Sequence, residues 1–211
     1  MKRIFVALTA IFLSLSFVTT AAQAKIGQNI LDNILLLVTV DENGDPVMLG
    51  TGFVISDQGH VLTSEHVVRE AKLVVFCAQK LKKTDTYCFK EGTLEMLAED
   101  SSLDLALLQL PEQLRSANQE SYLVLADSSL TDIGDEINVI GYPGTGALTL
   151  NLSRGVISGF VEDYIKTDAR LFSGNSGGPA LNENNQVIGI ATALTSDDYQ
   201  NLGILTSSNT I

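Results

Sequence analysis

This sequence predicts an all-β fold, a barrel or a sandwich. Twelve short apolar runs recur along it between Gly, Asn and Asp turns, and helical periodicity is scarce. Residues 33–40 form the first run. The turn Asp41-Glu42-Asn43-Gly44-Asp45-Pro46 ends it, and residues 47–56 form the second. Asp57-Gln58-Gly59 then breaks the chain, and 60–63 resumes it. Residues 71–78 and 86–97 flank a polar Lys/Thr/Asp connection, which reads as a hairpin. Later runs are 104–110, 122–125, 136–140, 148–157, 164–167, 186–193 and 202–206. Residues 112–120 are the best helical candidate. They are short, polar and near mid-chain, where they could cover a crossover between two halves. There is no internal repeat and no low-complexity tract.

The N-terminus reads as a leader. Lys2-Arg3 precedes an apolar run over 4–18, and Ala22-Gln23-Ala24 is a small-x-small cleavage site. The run is short for a membrane span, so a cleaved signal over 1–24 is expected and a stable anchor is not. About 187 residues would remain, enough for one or two compact units. The chain has 13 basic residues; without Lys2 and Arg3, eleven face 25 acidic ones, a net charge of −14. Such a balance argues against nucleic acid and anionic membranes as partners. Export permits a disulfide between Cys77 and Cys88, which would cross-link the hairpin. A zinc site is the weaker alternative, because two thiols and two scattered histidines lack paired ligand spacing. No metal and no cofactor is expected.

Gly174-Asn175-Ser176-Gly177-Gly178-Pro179 carries the chemistry. A serine framed by glycines joins a hydroxyl that can attack to bare amides that can hold an oxyanion. The stretch also fits G-x-S-x-G, the nucleophile elbow of α/β-hydrolases, in which a histidine follows the serine. Here 35 residues follow Ser176 and none is histidine. His60 and His66 both lie upstream. His60 sits at the Gly59 turn and takes a structural reading. His66 follows an apolar strand in Thr63-Ser64-Glu65-His66-Val67. Asp104 opens the apolar run Leu105-Ala106-Leu107-Leu108, where a carboxylate is costly unless satisfied. A capping role is the bland reading of Asp104, and a histidine partner is the functional one. Ser176 would attack, His66 would take its proton, and Asp104 would fix the imidazole tautomer. The amides of Gly174 and Ser176 would hold the oxyanion.

Separated motifs then converge. Gly50-Thr51-Gly52-Phe53, Thr63-Ser64-Glu65-His66-Val67, Asp104-Leu105-Ala106-Leu107-Leu108, Ala126-Asp127-Ser128, Gly134-Asp135, Ile140-Gly141-Tyr142-Pro143-Gly144, and Thr167-Asp168-Ala169 with the serine loop cover most of the mature chain. Together they resemble the HtrA/Deg family of trypsin-like serine proteases. The resemblance implies two six-stranded antiparallel β-barrels with the active-site cleft between them. The N-terminal barrel would take 25–120, with His66 and Asp104, and the C-terminal barrel 121–211, with Ser176. It implies protein or peptide substrates, bound as an added strand along Ile190-Ala191-Thr192-Ala193. It also implies a periplasmic or extracellular setting.

Three departures from the family pattern stand out. The chain ends at Ile211, so no PDZ domain is expected. Asn175 stands where many zymogens carry an aspartate that pairs with a new N-terminus, so activation by N-terminal insertion is not expected. Arg170, six residues before Ser176, lies near the floor of the specificity pocket in such folds. It would favour an acidic side chain there, or else point to solvent or cap Asp168. A non-catalytic binding or chaperone barrel is the rival from another class. The complete His66, Asp104 and Ser176 set argues against it. An esterase on the same triad is chemically close.

Overall fold

The computed structural model describes residues 25–81, 86–115, 122–144, 148–192 and 202–211. The leader at 1–24, most of the expected helix at 112–120, and Ala193 lie outside them. Of that helix, Glu112–Leu114 forms one 3-10 turn.

A one-turn helix α1, Gln28–Leu31, leads into twelve strands. The first six are β1 Ile34–Val40, β2 Pro46–Val54, β3 His60–Thr63, β4 Leu73–Leu81, β5 Thr86–Asp100 and β6 Leu105–Gln109. A second one-turn helix, α2 Glu65–Val68, follows β3. The other six strands are β7 Glu136–Gly141, β8 Asn151–Val161, β9 Tyr164–Thr167, β10 Pro179–Leu181, β11 Val187–Thr192 and β12 Gly203–Ser207. They close into two antiparallel barrels, ordered β1-β2-β3-β6-β5-β4 and β10-β11-β12-β9-β8-β7. Closure gives every strand a neighbour on both sides.

The apolar runs explain how the barrels meet. Side chains on a strand alternate between its two faces. On β1, Leu35 and Leu37 join Val54, Val61, Phe76 and Leu108 inside the first barrel. Ile34 and Leu36 face the other way, into a cluster with Phe53, Leu62, Ile140, Tyr142, Leu181 and Ile190. That cluster draws from both barrels, so β1 is buried on both faces and reads as Ile-Leu-Leu-Leu without alternation. Ile137, Val139, Ile157, Ile165, Ile188 and Leu205 fill the second barrel.

Eleven of the expected runs are strands. The run at 122–125 is not. It crosses between the barrels, with one parallel bridge from Leu125 to Val187. The Leu123 amide donates to the Val54 carbonyl of the first barrel, and the Ala126 amide to Val187 of the second. β10 completes the twelve. It is three residues long and opens with Pro179, which hides it from a search for alternating runs.

Candidate active site

His66 sits on α2, immediately beyond the end of β3. Ser64, the residue that opens the helix, is extended and fully buried. Its hydroxyl reaches the Ala191 carbonyl of the second barrel at 3.2 Å. Asp104 faces His66 from the other side of the β5–β6 connection. Its backbone is left-handed, φ 55°, a conformation few non-glycine residues adopt. The turn before it is tied by Asp100, whose Oδ1 accepts from the Ser102 and Leu103 amides at 2.8 and 3.2 Å.

This turn aims the Asp104 carboxylate at His66 twice. The His66 amide donates to Oδ1 at 2.8 Å, and the ring Nδ1 donates to Oδ2 at 2.7 Å. Burial alone pushes the Asp104 carboxyl up, but the hydrogen bonds from the His66 ring and amide outweigh it and hold the group below the ordinary carboxylate value. Asp104 is therefore an acceptor at neutral pH, which puts the proton on Nδ1 and leaves Nε2 for other work. His60, the other histidine, bonds its own turn: Nδ1 lies 2.9 Å from Ser56 Oγ.

Ser176 lies between two glycines in left-handed conformations, Gly174 at φ 95° and Gly177 at φ 84°. A Cβ on Gly177 would collide with the Thr51 carbonyl and the Thr63 hydroxyl. The Ser176 carbonyl accepts from the Thr51 amide of the first barrel at 2.8 Å. The Gly177 amide donates to the Ala191 carbonyl, and the Ala191 amide to the Gly178 carbonyl, both at 2.8 Å. Among the described residues, the amides of Gly174 and Ser176 have no hydrogen-bond partner. His66 and Ser176 line one cavity of about 350 Å3, with Met48, Leu49, Phe172 and Thr192. No hydrogen bond joins their side chains; catalytic contacts of this kind commonly tighten only when substrate binds. A larger cavity of about 1080 Å3 lies on the second barrel and contains neither residue, so chemistry rather than size picks the site.

Ala191 and Thr192 line the cavity from β11. The Ala191 amide and carbonyl are both spent on the serine loop, so it offers a side-chain wall and no backbone for an added strand. Thr192 Oγ1 bonds Thr206 Oγ1 at 2.9 Å, and that hydroxyl donates to the Leu103 carbonyl at 3.1 Å. The wall of the cavity is thereby connected to the turn that carries Asp104. Arg170 does not line the cavity. It is exposed, with its guanidinium 5.5 Å from the centre of the Phe172 ring, and makes no ion pair among the described residues. Asp168 is instead engaged by the Val156 amide at 2.7 Å. Asn175 is buried, and its Oδ1 has no partner among the described residues. No cluster of three metal-ligating side chains occurs among them.

Two contributors escaped the sequence reading. Thr51 accepts from the Tyr142 amide at 2.9 Å and donates to the Gly174 carbonyl at 2.7 Å, so one hydroxyl fixes the serine loop to the first barrel. Its position between Gly50 and Gly52 was the available signal. Glu65, the neighbour of His66, is 1% exposed, and a buried carboxylate cannot be told from a solvated one by its letter.

Residues 50–190 match the trypsin-like peptidase domain, and the chain belongs to that family. Its relatives are of the DegP/HtrA kind. It is 34% identical over 164 residues to a probable periplasmic serine endoprotease DegP-like of Chlamydia trachomatis, covering 74% of this chain and 30% of that protein. To the protein of the same description from Rickettsia conorii it is 32% identical over 181 residues, covering 81% and 33%. The chain thus spans a third or less of the length of these curated relatives. Among solved structures, the serine endoprotease from Yersinia pestis superposes with a TM-score of 0.71 at 22% identity, over 87% of this chain and 61% of that one. The HtrA-type protease AlgW with a tripeptide gives 0.70 at 25% identity, over 87% and 58%.

Proposed function

We propose that the chain is an exported serine endopeptidase acting on proteins or peptides in the periplasm. The observation that carries this reading is the convergence on one cavity of Ser176, two unengaged amides and a His66 ring already oriented by Asp104. In this mechanism His66 Nε2 takes the Ser176 proton as Oγ attacks the scissile carbonyl. The C–O bond forms while the carbonyl π pair moves onto oxygen, which the Gly174 and Ser176 amides receive. Losing one such donor typically costs about 3–4 kcal/mol of barrier. The imidazolium, stabilised by Asp104, then gives its proton to the leaving amine. Water enters by the same path in reverse and releases the acid. No cofactor is needed.

Several finer points belong to the same reading. The leader at 1–24 directs export and is cleaved after Ala24. Substrate adds a strand beside Thr192, at the end of β11. The apolar wall of Leu171, Phe172 and Ala191 favours an aliphatic side chain on the acyl side. Arg170, stacked on Phe172, would meet an acidic neighbour at the rim of that wall rather than at its floor. Asn175 has no charge to pair with a new N-terminus, so activity needs no trimming. Cys77 and Cys88 form a disulfide between β4 and β5. Supporting it, β4 and β5 pair as neighbouring antiparallel strands, and no free cysteine occurs among the described residues.

Fluorophosphonate labelling tests the central claim. The folded protein should be labelled and should degrade unfolded casein, and Ser176→Ala should do neither. An unlabelled wild type that matches Ser176→Ala on casein would defeat the reading.

A further inference from the structure

The Gly174 and Ser176 amides belong to the first and third of three consecutive peptide units. In a planar trans peptide the C=O and N–H point in opposite directions, so holding a carbonyl aims the next residue's amide. The Ser173 carbonyl accepts from the Gly144 amide at 2.7 Å, which turns the Gly174 N–H the other way. The Asn175 carbonyl accepts from the Gly178 amide at 2.9 Å, which does the same for the Ser176 N–H. The unit between them is held at both ends. Its Asn175 amide donates to the Phe172 carbonyl at 2.9 Å, and its Gly174 carbonyl accepts from the Thr51 hydroxyl at 2.7 Å.

Thr51 is a fully buried residue of β2, in the first barrel. Its one hydroxyl proton goes to Gly174, and a lone pair takes the Tyr142 amide at 2.9 Å. Tyr142 opens the Tyr142-Pro143-Gly144 segment, whose last amide holds Ser173. The hydroxyl therefore reaches the middle unit directly and the unit before it through that segment. The Thr51 amide adds a third hold, on the Ser176 carbonyl at 2.8 Å. The fit is close: a Cβ on Gly141 would stand 2.9 Å from Thr51 Oγ1 and 3.0 Å from the Asn175 Cα.

We infer that Thr51 is a positioning residue: its hydroxyl, from the first barrel, sets the direction of the Gly174 and Ser176 amides in the second. Thr51 touches no reacting atom and acts through the serine loop. The inference rests on the serine-protease reading for its meaning.

Thr51→Val keeps the shape of the side chain and removes both hydroxyl bonds, whereas Thr51→Ser keeps both. Fluorophosphonate labelling should slow about tenfold or more in Thr51→Val and stay within about threefold of wild type in Thr51→Ser. On fluorescent casein the loss should fall on kcat with KM little changed, because an oxyanion contact is made only in the transition state. The pH midpoint of labelling, which reports His66, should not move. If Thr51→Val fails to fold, Thr51→Ala, which sets no methyl against the Gly174 carbonyl, gives the same readings. Undiminished labelling without the hydroxyl, or an equal loss in Thr51→Ser, overturns the inference. So does a moved midpoint, since the loss would then run through His66. A wild type that is never labelled defeats the protease reading instead. The amide resonances of Gly174 and Ser176 then decide: displaced in Thr51→Val and kept in Thr51→Ser they support the inference, and any other pattern overturns it.

Discussion

Gly177 shows how one residue holds the site together. Two demands fall on it at once: a left-handed backbone, and a space closed by Thr51 and Thr63. Gly134 shares the first demand at φ 98° but has nothing within 4 Å of where a Cβ would stand. Gly134→Ala should therefore cost about 1 kcal/mol, the conformational part alone. Gly177→Ala should cost roughly 2–5 kcal/mol, strain and overpacking together, and should abolish fluorophosphonate labelling. Urea melts of both variants check the contrast; equal losses would mean that the close approach of the barrels does not matter. The Gly-Asn-Ser-Gly-Gly pattern was plain in the sequence. What fills the space around it was not, because Thr51 lies 126 positions before Gly177 and meets it only through the barrel interface.

At the scale of elements, the site stands on short, irregular pieces: a one-turn helix for His66, a tight turn for Asp104 and a glycine loop for Ser176. Rigid strands bring them together. β3 delivers α2, β6 departs from Asp104, and β11 backs the serine loop through Ala191. The β4–β5 hairpin does not line the candidate active-site cavity, and its proposed Cys77–Cys88 link is a stability device. Closing a loop of that length stabilises by roughly 3 kcal/mol on the chain-entropy model. Mass spectrometry of the exported protein should find two hydrogens fewer than the reduced chain has; a thiol-reactive label on either cysteine would refute the link. Strand positions were legible wherever apolar runs met turn residues. β10 was missed because Pro179 and the preceding loop mask three residues of strand. The run at 122–125 misled because apolar residues buried between two barrels look the same in sequence as residues buried in a sheet.

Taken as a whole, the molecule ties its acid stability to its candidate active site. Asp104 and Glu65 both titrate below their ordinary values, near 3.8 and 4.5. For Asp104 burial is the largest influence and opposes the shift, and the His66 hydrogen bonds override it. For Glu65 the Arg69 hydrogen bonds dominate. A carboxyl with a depressed folded pKa stabilises the protein fully above its unfolded value, and that contribution fades as pH falls through the folded one. Thermal unfolding should therefore be steady at neutral pH and should drop steeply as pH falls below about 4.5. Asp104→Asn and Glu65→Gln should each flatten that acid slope. A slope unchanged in both variants would assign acid unfolding to other carboxylates.

The sequence by itself determined the strand-rich fold, the three residue types of the proposed triad and their order along the chain. Those follow from local pattern: alternation, turn residues, and a serine in a glycine frame. The tertiary structure alone decided which distant atoms meet. It gave Asp104 both His66 hydrogens, spent the Ala191 backbone on the serine loop, put Arg170 on Phe172 at the surface, and made Thr51 the bolt between barrels. Each of these joins groups far apart in the chain, or depends on where a side chain points. Local pattern fixes neither, because both are settled only when the two barrels close and pack.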